Sequence, residues 1–286
     1  MSDPTERRIA LAHLALGAQT WGDPLLPPLV ALHGWLDNAG SFALLAPLLA
    51  SRFHVLALDL PGHGHSDHLP AGATYHFIDY ARAVLEAVQV MGLGSYTLLG
   101  HSLGAGVASL VAAAAPQPID QLLLIEGLGS LGDDGTHTLQ RFRSALVPAV
   151  TARRPLRLFR SVEQAIQART SASGLRAELA RPIVERGLQE VDGGWHWRSD
   201  PRLTQSSALR LAETQVRTLL HGIEAPTALL LAQPETPYLP GALIRERADC
   251  IGAIQISHMD GCHHLHLEHP QAVAEWINAA IQRHAR

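Results

Sequence analysis

The sequence predicts an α/β fold with a mostly parallel central sheet and one long helical insertion, on three observations. Short, mostly continuous apolar runs alternate with longer stretches of helical spacing. The rhythm breaks once, from about Leu131 to about Ile223, and the strand signal resumes at Pro226.

The runs are Leu29 to Leu32, Val55 to Leu58, Tyr96 to Leu99, Leu122 to Ile125, Ala228 to Ala232 and Ile251 to Ile256. Continuous apolar character, in place of strict alternation, is what strands buried on both faces of a parallel sheet require. Between them, Phe77, Ala81, Val84, Leu85 and Val88 share one helical face, as do Leu103, Val107, Leu110, Val111 and Ala114. Val273, Trp276, Ile277, Ala280 and Ile281 repeat the pattern near the C-terminus, and Pro270 is placed to open that helix. The segment 131–223 carries Arg, Ala, Leu and Gln at helical spacing and is far longer than an ordinary connection, so it is expected to be an inserted helical cap or lid. The core is then discontinuous, 1–130 and 224–286.

The 22 basic residues are all Arg, scattered among 26 acidic ones, and the net charge of -4 gives no reason to expect nucleic acid or an anionic membrane as partner. Cys250 and Cys262 cannot build a disulfide framework. The N-terminus has charges of both signs and no apolar core of a signal peptide, and no apolar run approaches a membrane span. A soluble cytoplasmic protein is expected.

The chemistry centres on Gly100-His101-Ser102-Leu103-Gly104, between a strand run and a helical stretch, the context of a nucleophile elbow. The tight turn lifts the Ser102 hydroxyl to the N-terminus of a helix, whose dipole favours developing negative charge. With it, three further segments resemble the α/β-hydrolase superfamily, and within it the serine hydrolase-like proteins. They are His33-Gly34-Trp35-Leu36-Asp37-Asn38, Asp59 to Ser66, and His263 to Pro270.

The resemblance implies a serine nucleophile, Ser102, and a catalytic His four residues before a Leu and five before a Glu. Leu267 and Glu268 select His263, with His264 one register away as the alternative base. Most relatives place the acid after the strand that here reads Ala228 to Ala232, but that position holds Thr236 in Gln233-Pro234-Glu235-Thr236-Pro237. Glu126, ending the preceding apolar strand, is the better candidate to orient His263, since an uncompensated carboxylate there would be costly; Glu235 is the alternative. The oxyanion would be held by the backbone N–H groups of Trp35 and Leu103. Trp35 and His101 are expected at the substrate pocket, and Asp37 and Asp59 as structural pins.

A rival motif overlaps: His63-Gly64-His65-Ser66-Asp67-His68 fits the HxHxDH zinc signature, but that reading leaves the elbow unexplained. Arg153, Arg154, Arg157 and Arg160 read as a solvated face of the insert, and Trp195 and Trp197 as its core. The expected function is cleavage of a small carboxylic ester through an acyl-enzyme, with no metal or organic cofactor. Thioesters, lactones and C–C bonds are alternatives for the same residues; a zinc hydrolase and a non-catalytic binding protein are the rival classes.

Overall fold

The computed structural model describes residues 3–146, 157–236 and 240–284, with residues 283 and 284 described by backbone alone. Eight strands form the central sheet: β1 (Thr5–Ala10), β2 (Ala15–Trp21), β3 (Pro28–Leu32), β4 (His54–Leu58), β5 (Tyr96–His101), β6 (Ile119–Ile125), β7 (Thr227–Gln233) and β8 (Ile254–Asp260). Their order is β1-β2-β4-β3-β5-β6-β7-β8. All pairings from β4 to β8 are parallel, while β1 and β2 pair antiparallel with each other and β2 with β4.

Each predicted run lies wholly or partly in one of the six parallel strands. The last begins at Ile254, because Gly252 and its neighbours turn the chain first. The hairpin of β1 and β2 was not predicted. β1 reads TERRIA and is exposed except at Ile9, so it offers no apolar run.

Residues alternate between the two faces of the sheet. On one face Val30, Leu32, Leu58, Leu98, Leu122 and Leu124 pack on the helices α1 (Phe77–Val90) and α2 (Leu103–Ala114). On the other, Leu29, Ala31, Ala57, Leu99, Leu123 and Ile125 share a core with Val273, Ala274 and Ile277, which lie in the C-terminal helix opened by Pro270. No helix of the described residues is long and apolar enough to cross a membrane.

The inserted segment holds α3 (Thr138–Leu146), α4 (Val162–Ser173) and α5 (Ala177–Gly187), followed by an antiparallel hairpin, Leu188–Val191 with Gly194–Trp197. The hairpin is hidden in a reading by helical spacing because its strands are four residues each. Phe159, Ile166, Leu179, Ile183 and Val184 form a separate small core, which Trp195 and Trp197 cover from the side. Arg157 lies over the Phe159 ring at 4.9 Å, whereas Arg153 and Arg154 fall outside the described residues. The last helix of the segment, α6 (Glu213–Leu220), belongs to the main core instead, through Val216 and Leu220.

A buried carboxylate ties the insert to the sheet. Asp59, after β4, accepts from the Ala39 N–H at 2.7 Å and the His65 N–H at 2.8 Å, and from the Arg186 guanidinium of α5 at 2.7 and 3.2 Å. Arg186 also pairs with Glu6 of β1. Burial alone would raise the Asp59 pKa, but the Arg186 charge and hydrogen bonds outweigh that and hold the carboxyl below its ordinary range. A buried charge stripped of its partner costs about 3–5 kcal/mol. Arg186→Leu should therefore lower stability by about that much, read as a fall in the urea midpoint, while Arg181→Leu on the exposed face of α5 should leave it nearly unchanged.

Candidate active site

Three strand ends build the site, each with a residue in the left-handed region that L side chains rarely occupy. Among the described residues these are the three non-glycine positions of positive φ: Leu36 (58°) in the loop after β3, Ser102 (52°) after β5 and Glu126 (53°) after β6. The elbow glycines are explained by contact. A Cβ on Gly100 would lie 2.4 Å from the Gly104 oxygen, and one on Gly104 2.1 Å from the Leu32 oxygen. The chain can thus turn from β5 into α2 within one residue, leaving Ser102 half-buried at the helix N-terminus.

His263 lies in the loop after β8. That loop is fixed by Gly261 N–H to the Gln233 oxygen at 3.1 Å and by Cys262 N–H to a Glu268 carboxylate oxygen at 2.6 Å. Leu267 is buried beside the insert core, so the Leu and Glu that selected His263 in the sequence both anchor its loop.

The structure brings three of the expected residues together. His263 Nε2 stands 2.8 Å from Ser102 Oγ, and His263 Nδ1 stands 3.1 Å from Glu126 Oε2. Glu126 is buried, but its carboxylate is not bare: Oε1 accepts the Ala232 N–H at 2.6 Å and Oε2 the Thr236 hydroxyl at 3.1 Å. Thr236 is the residue at the position where the resemblance places the acid. Its contact to Glu126 was missed in the sequence, although asking what the substituted side chain could donate to would have found it. Glu235 is exposed and instead accepts the Gly241 N–H at 3.0 Å at the start of α7 (Gly241–Ala248), away from His263. A cavity of about 280 Å³ behind Glu126, lined by Leu231, Thr236, Arg245 and His258, reaches neither Ser102 nor His263.

Around this centre, Trp35 is half exposed, and its indole N–H donates to the Leu203 oxygen of the inserted segment at 3.0 Å. Among the described residues the backbone N–H groups of Trp35 and Leu103 find no protein acceptor. His101, expected at the substrate pocket, is fully buried instead. As the last residue of β5 its ring turns under the histidine loop, where Nε2 lies 2.8 Å from the His263 carbonyl oxygen. His264 turns away from Ser102, its Nε2 3.3 Å from Asp37 Oδ2. Asp37 also pairs with Arg169 of α4. Burial would raise its pKa, but the His264 ring and Arg169 outweigh burial and keep it ionised.

The HxHxDH residues are dispersed. His63 is buried against the Pro61 oxygen, Asp67 pairs with Arg8, and His68 contacts the Arg198 oxygen. Among the described residues the metal-competent grouping is another one, Asp37 with His101 and His264.

A serine, a histidine and a carboxylate in hydrogen-bond succession, at the C-terminal edge of a parallel sheet, define a serine-hydrolase type of site. The family model for the alpha/beta hydrolase fold matches residues 27–270, and the chain belongs to that family. It is 28% identical to a serine hydrolase-like protein of Danio rerio, over 97% of this chain and 88% of that one. A hypothetical protein of Pseudomonas aeruginosa PAO1 is 37% identical with a TM-score of 0.87, covering 98% of this chain and 99% of that chain. A thioesterase domain from the curacin biosynthetic pathway shares the fold at TM-score 0.84 and 23% identity, covering 97% of this chain and 100% of that one.

Burial also sets an acid limit on the structure. It lowers the pKa of His33, His63, His101 and His266, to about 3 for His63 and His266. Because the folded values lie below the unfolded value of about 6.5, the unfolded chain binds more protons in between, and stability falls as pH drops below about 6.5. Each such histidine adds a slope of up to about 1.4 kcal/mol per pH unit. Urea unfolding at pH 7, 6 and 5 should show a steepening loss, and His266→Gln should flatten it.

Proposed function

We propose that the chain is a serine hydrolase that cleaves small carboxylic esters through an acyl-enzyme. The observation that carries this is the hydrogen-bonded succession from Ser102 Oγ to His263 Nε2 at 2.8 Å, and from His263 Nδ1 to Glu126 at 3.1 Å.

Glu126 accepts only, so His263 Nδ1 carries the proton and Nε2 presents its lone pair to the serine. His263 takes the Ser102 proton as Oγ attacks the ester carbonyl. Glu126 stabilises the resulting imidazolium, and the N–H groups of Trp35 and Leu103, which have no acceptor among the described residues, hold the oxyanion. The proton passes to the leaving alcohol. Water, deprotonated by His263, then attacks the acyl-enzyme and releases the acid and Ser102. The inserted segment acts as a lid that walls the acyl side together with Trp35. Its three ties to the loop after β3 support this: Trp35 to Leu203, Asn38 to the Ile183 oxygen at 2.8 Å, and Asp37 to Arg169.

A fluorophosphonate probe should label wild type and fail on Ser102→Ala, and short p-nitrophenyl esters should lose at least roughly a thousandfold in kcat with that variant. Near-normal turnover by Ser102→Ala would overturn the reading. Ester, thioester and lactone substrates run side by side, each against Ser102→Ala, test the ester preference; a thioester or lactone favoured by kcat/KM would reassign it. Glu126→Gln should lose roughly a thousandfold to ten-thousandfold in kcat, and Glu235→Gln less than about threefold; the reverse ranking would move the acid to Glu235.

A further inference from the structure

Beneath the candidate catalytic histidine lies a second group of side chains that the hydrolytic reaction does not use. Asp37, His101 and His264 are all buried, and one ligand atom from each lies within 4.8 Å of the others. Of these atoms His101 Nδ1 is buried with no hydrogen-bond partner among the described residues, while Asp37 Oδ2 has the His264 Nε2 contact at 3.3 Å. Both face the gap left by the absent side chain of Gly34, where a Cβ would lie 3.1 Å from Asp37 Oδ2 and 3.0 Å from His101 Nδ1.

The tautomer of His101 follows from its other nitrogen. The His263 carbonyl oxygen accepts only, so Nε2 carries the hydrogen and Nδ1 turns a lone pair into the gap. A ring N–H donated to a backbone carbonyl is the usual support of a metal-binding histidine. A buried lone pair without a donor is costly, and a cation satisfies that of His101 Nδ1 while taking the place of the proton between His264 and Asp37.

We propose that Asp37, His101 and His264 bind a divalent transition-metal cation of the zinc type, and that its binding switches off the hydrolysis assigned to Ser102. The switch rests on that assignment; the binding site does not. Two imidazoles and one carboxylate suit zinc or cobalt, whereas magnesium and calcium favour oxygen sets.

In a tetrahedral shell with bonds near 2.1 Å, ligand atoms stand about 3.4 Å apart. His264 Nε2 and Asp37 Oδ2 already stand at 3.3 Å and the three ligand atoms lie within 4.8 Å of one another, so the shell closes by a movement of about 1.4 Å or less. That movement reaches the base by two routes, since His101 holds the His263 carbonyl and His264 is the next residue in the chain. The His101 and His263 ring centres are also 4.8 Å apart, so a dication beside one opposes positive charge on the other.

The test uses chelator-treated full-length protein titrated with zinc, cobalt and magnesium chlorides. Binding is read by calorimetry and by the visible absorption of cobalt, with ester hydrolysis followed in parallel. One equivalent of zinc or cobalt should bind and magnesium should not. At saturation kcat should fall at least tenfold with KM little changed, and EDTA should restore it. His264→Gln and Asp37→Asn should each weaken binding at least tenfold, whereas His263→Ala, which removes the base but no ligand, should still take up one equivalent. No zinc binding by wild type, or unchanged affinity in both ligand variants, would overturn the site. Binding without loss of turnover would overturn the switch. Uptake by a protein that shows no hydrolysis under any condition would support the site and count against the hydrolase reading alone.

Discussion

Asp59 is the point on which the upper edge of the sheet depends. It is wholly buried, and each of its oxygens serves a different loop while Arg186 bridges both from the insert. The carboxylate is too expensive to bury alone and the guanidinium too expensive to bury without it, so loops and insert hold one another in place. The loop after β3, which carries Trp35, is set by this junction through Ala39. Through the insert it is held again by Asn38 and Trp35. The N-terminal hairpin joins the same junction by way of Glu6, which gives an otherwise exposed edge strand a role in positioning the insert.

The three left-handed residues lie at the ends of adjacent strands, in the order β3, β5, β6. Strain of about 1–3 kcal/mol at each persists only where surrounding contacts over-determine the backbone. Those contacts are visible. The Ser102 N–H is taken by the Ile125 oxygen and the Glu126 N–H by the Leu230 oxygen, both at 2.9 Å, so each strand end is pinned by the next strand. The sheet ladder therefore sets the placement of the serine and the carboxylate, while the histidine is held by its own loop, through Gly261 N–H to the Gln233 oxygen and Cys262 N–H to Glu268.

The parallel part of the sheet was legible because burial on both faces leaves no choice but apolar residues in succession. The elbow was legible because the strand before it, the helix after it and the two glycines around Ser102 lie within a few residues, although Gly104 answers to the Leu32 oxygen of β3. β1 was not, because an exposed edge strand with one buried residue has no run to detect, and β2, though mostly buried, reads ALGAQTW, its apolar run broken by Gly17, Gln19 and Thr20. The insert's hairpin was hidden among helices for want of length. Glu126 could be placed by cost, since a carboxylate ending an apolar strand needs a reason. His101, expected at the substrate pocket, could not: only the return of the loop after β8 across β5 shows it covered. Contacts between segments far apart in the chain, such as Arg186 with Asp59 or Thr236 with Glu126, leave no local pattern to read.

With the carboxylate carried by β6, the connection that follows β7 contributes to this group through the Thr236 hydroxyl alone among its described residues. That connection therefore does not have to deliver a carboxylate to His263. Glu126 keeps its place beside His263 through β6 and the Ala232 N–H, so a change beyond Thr236 in that connection leaves the contacts of Ser102, His263 and Glu126 standing.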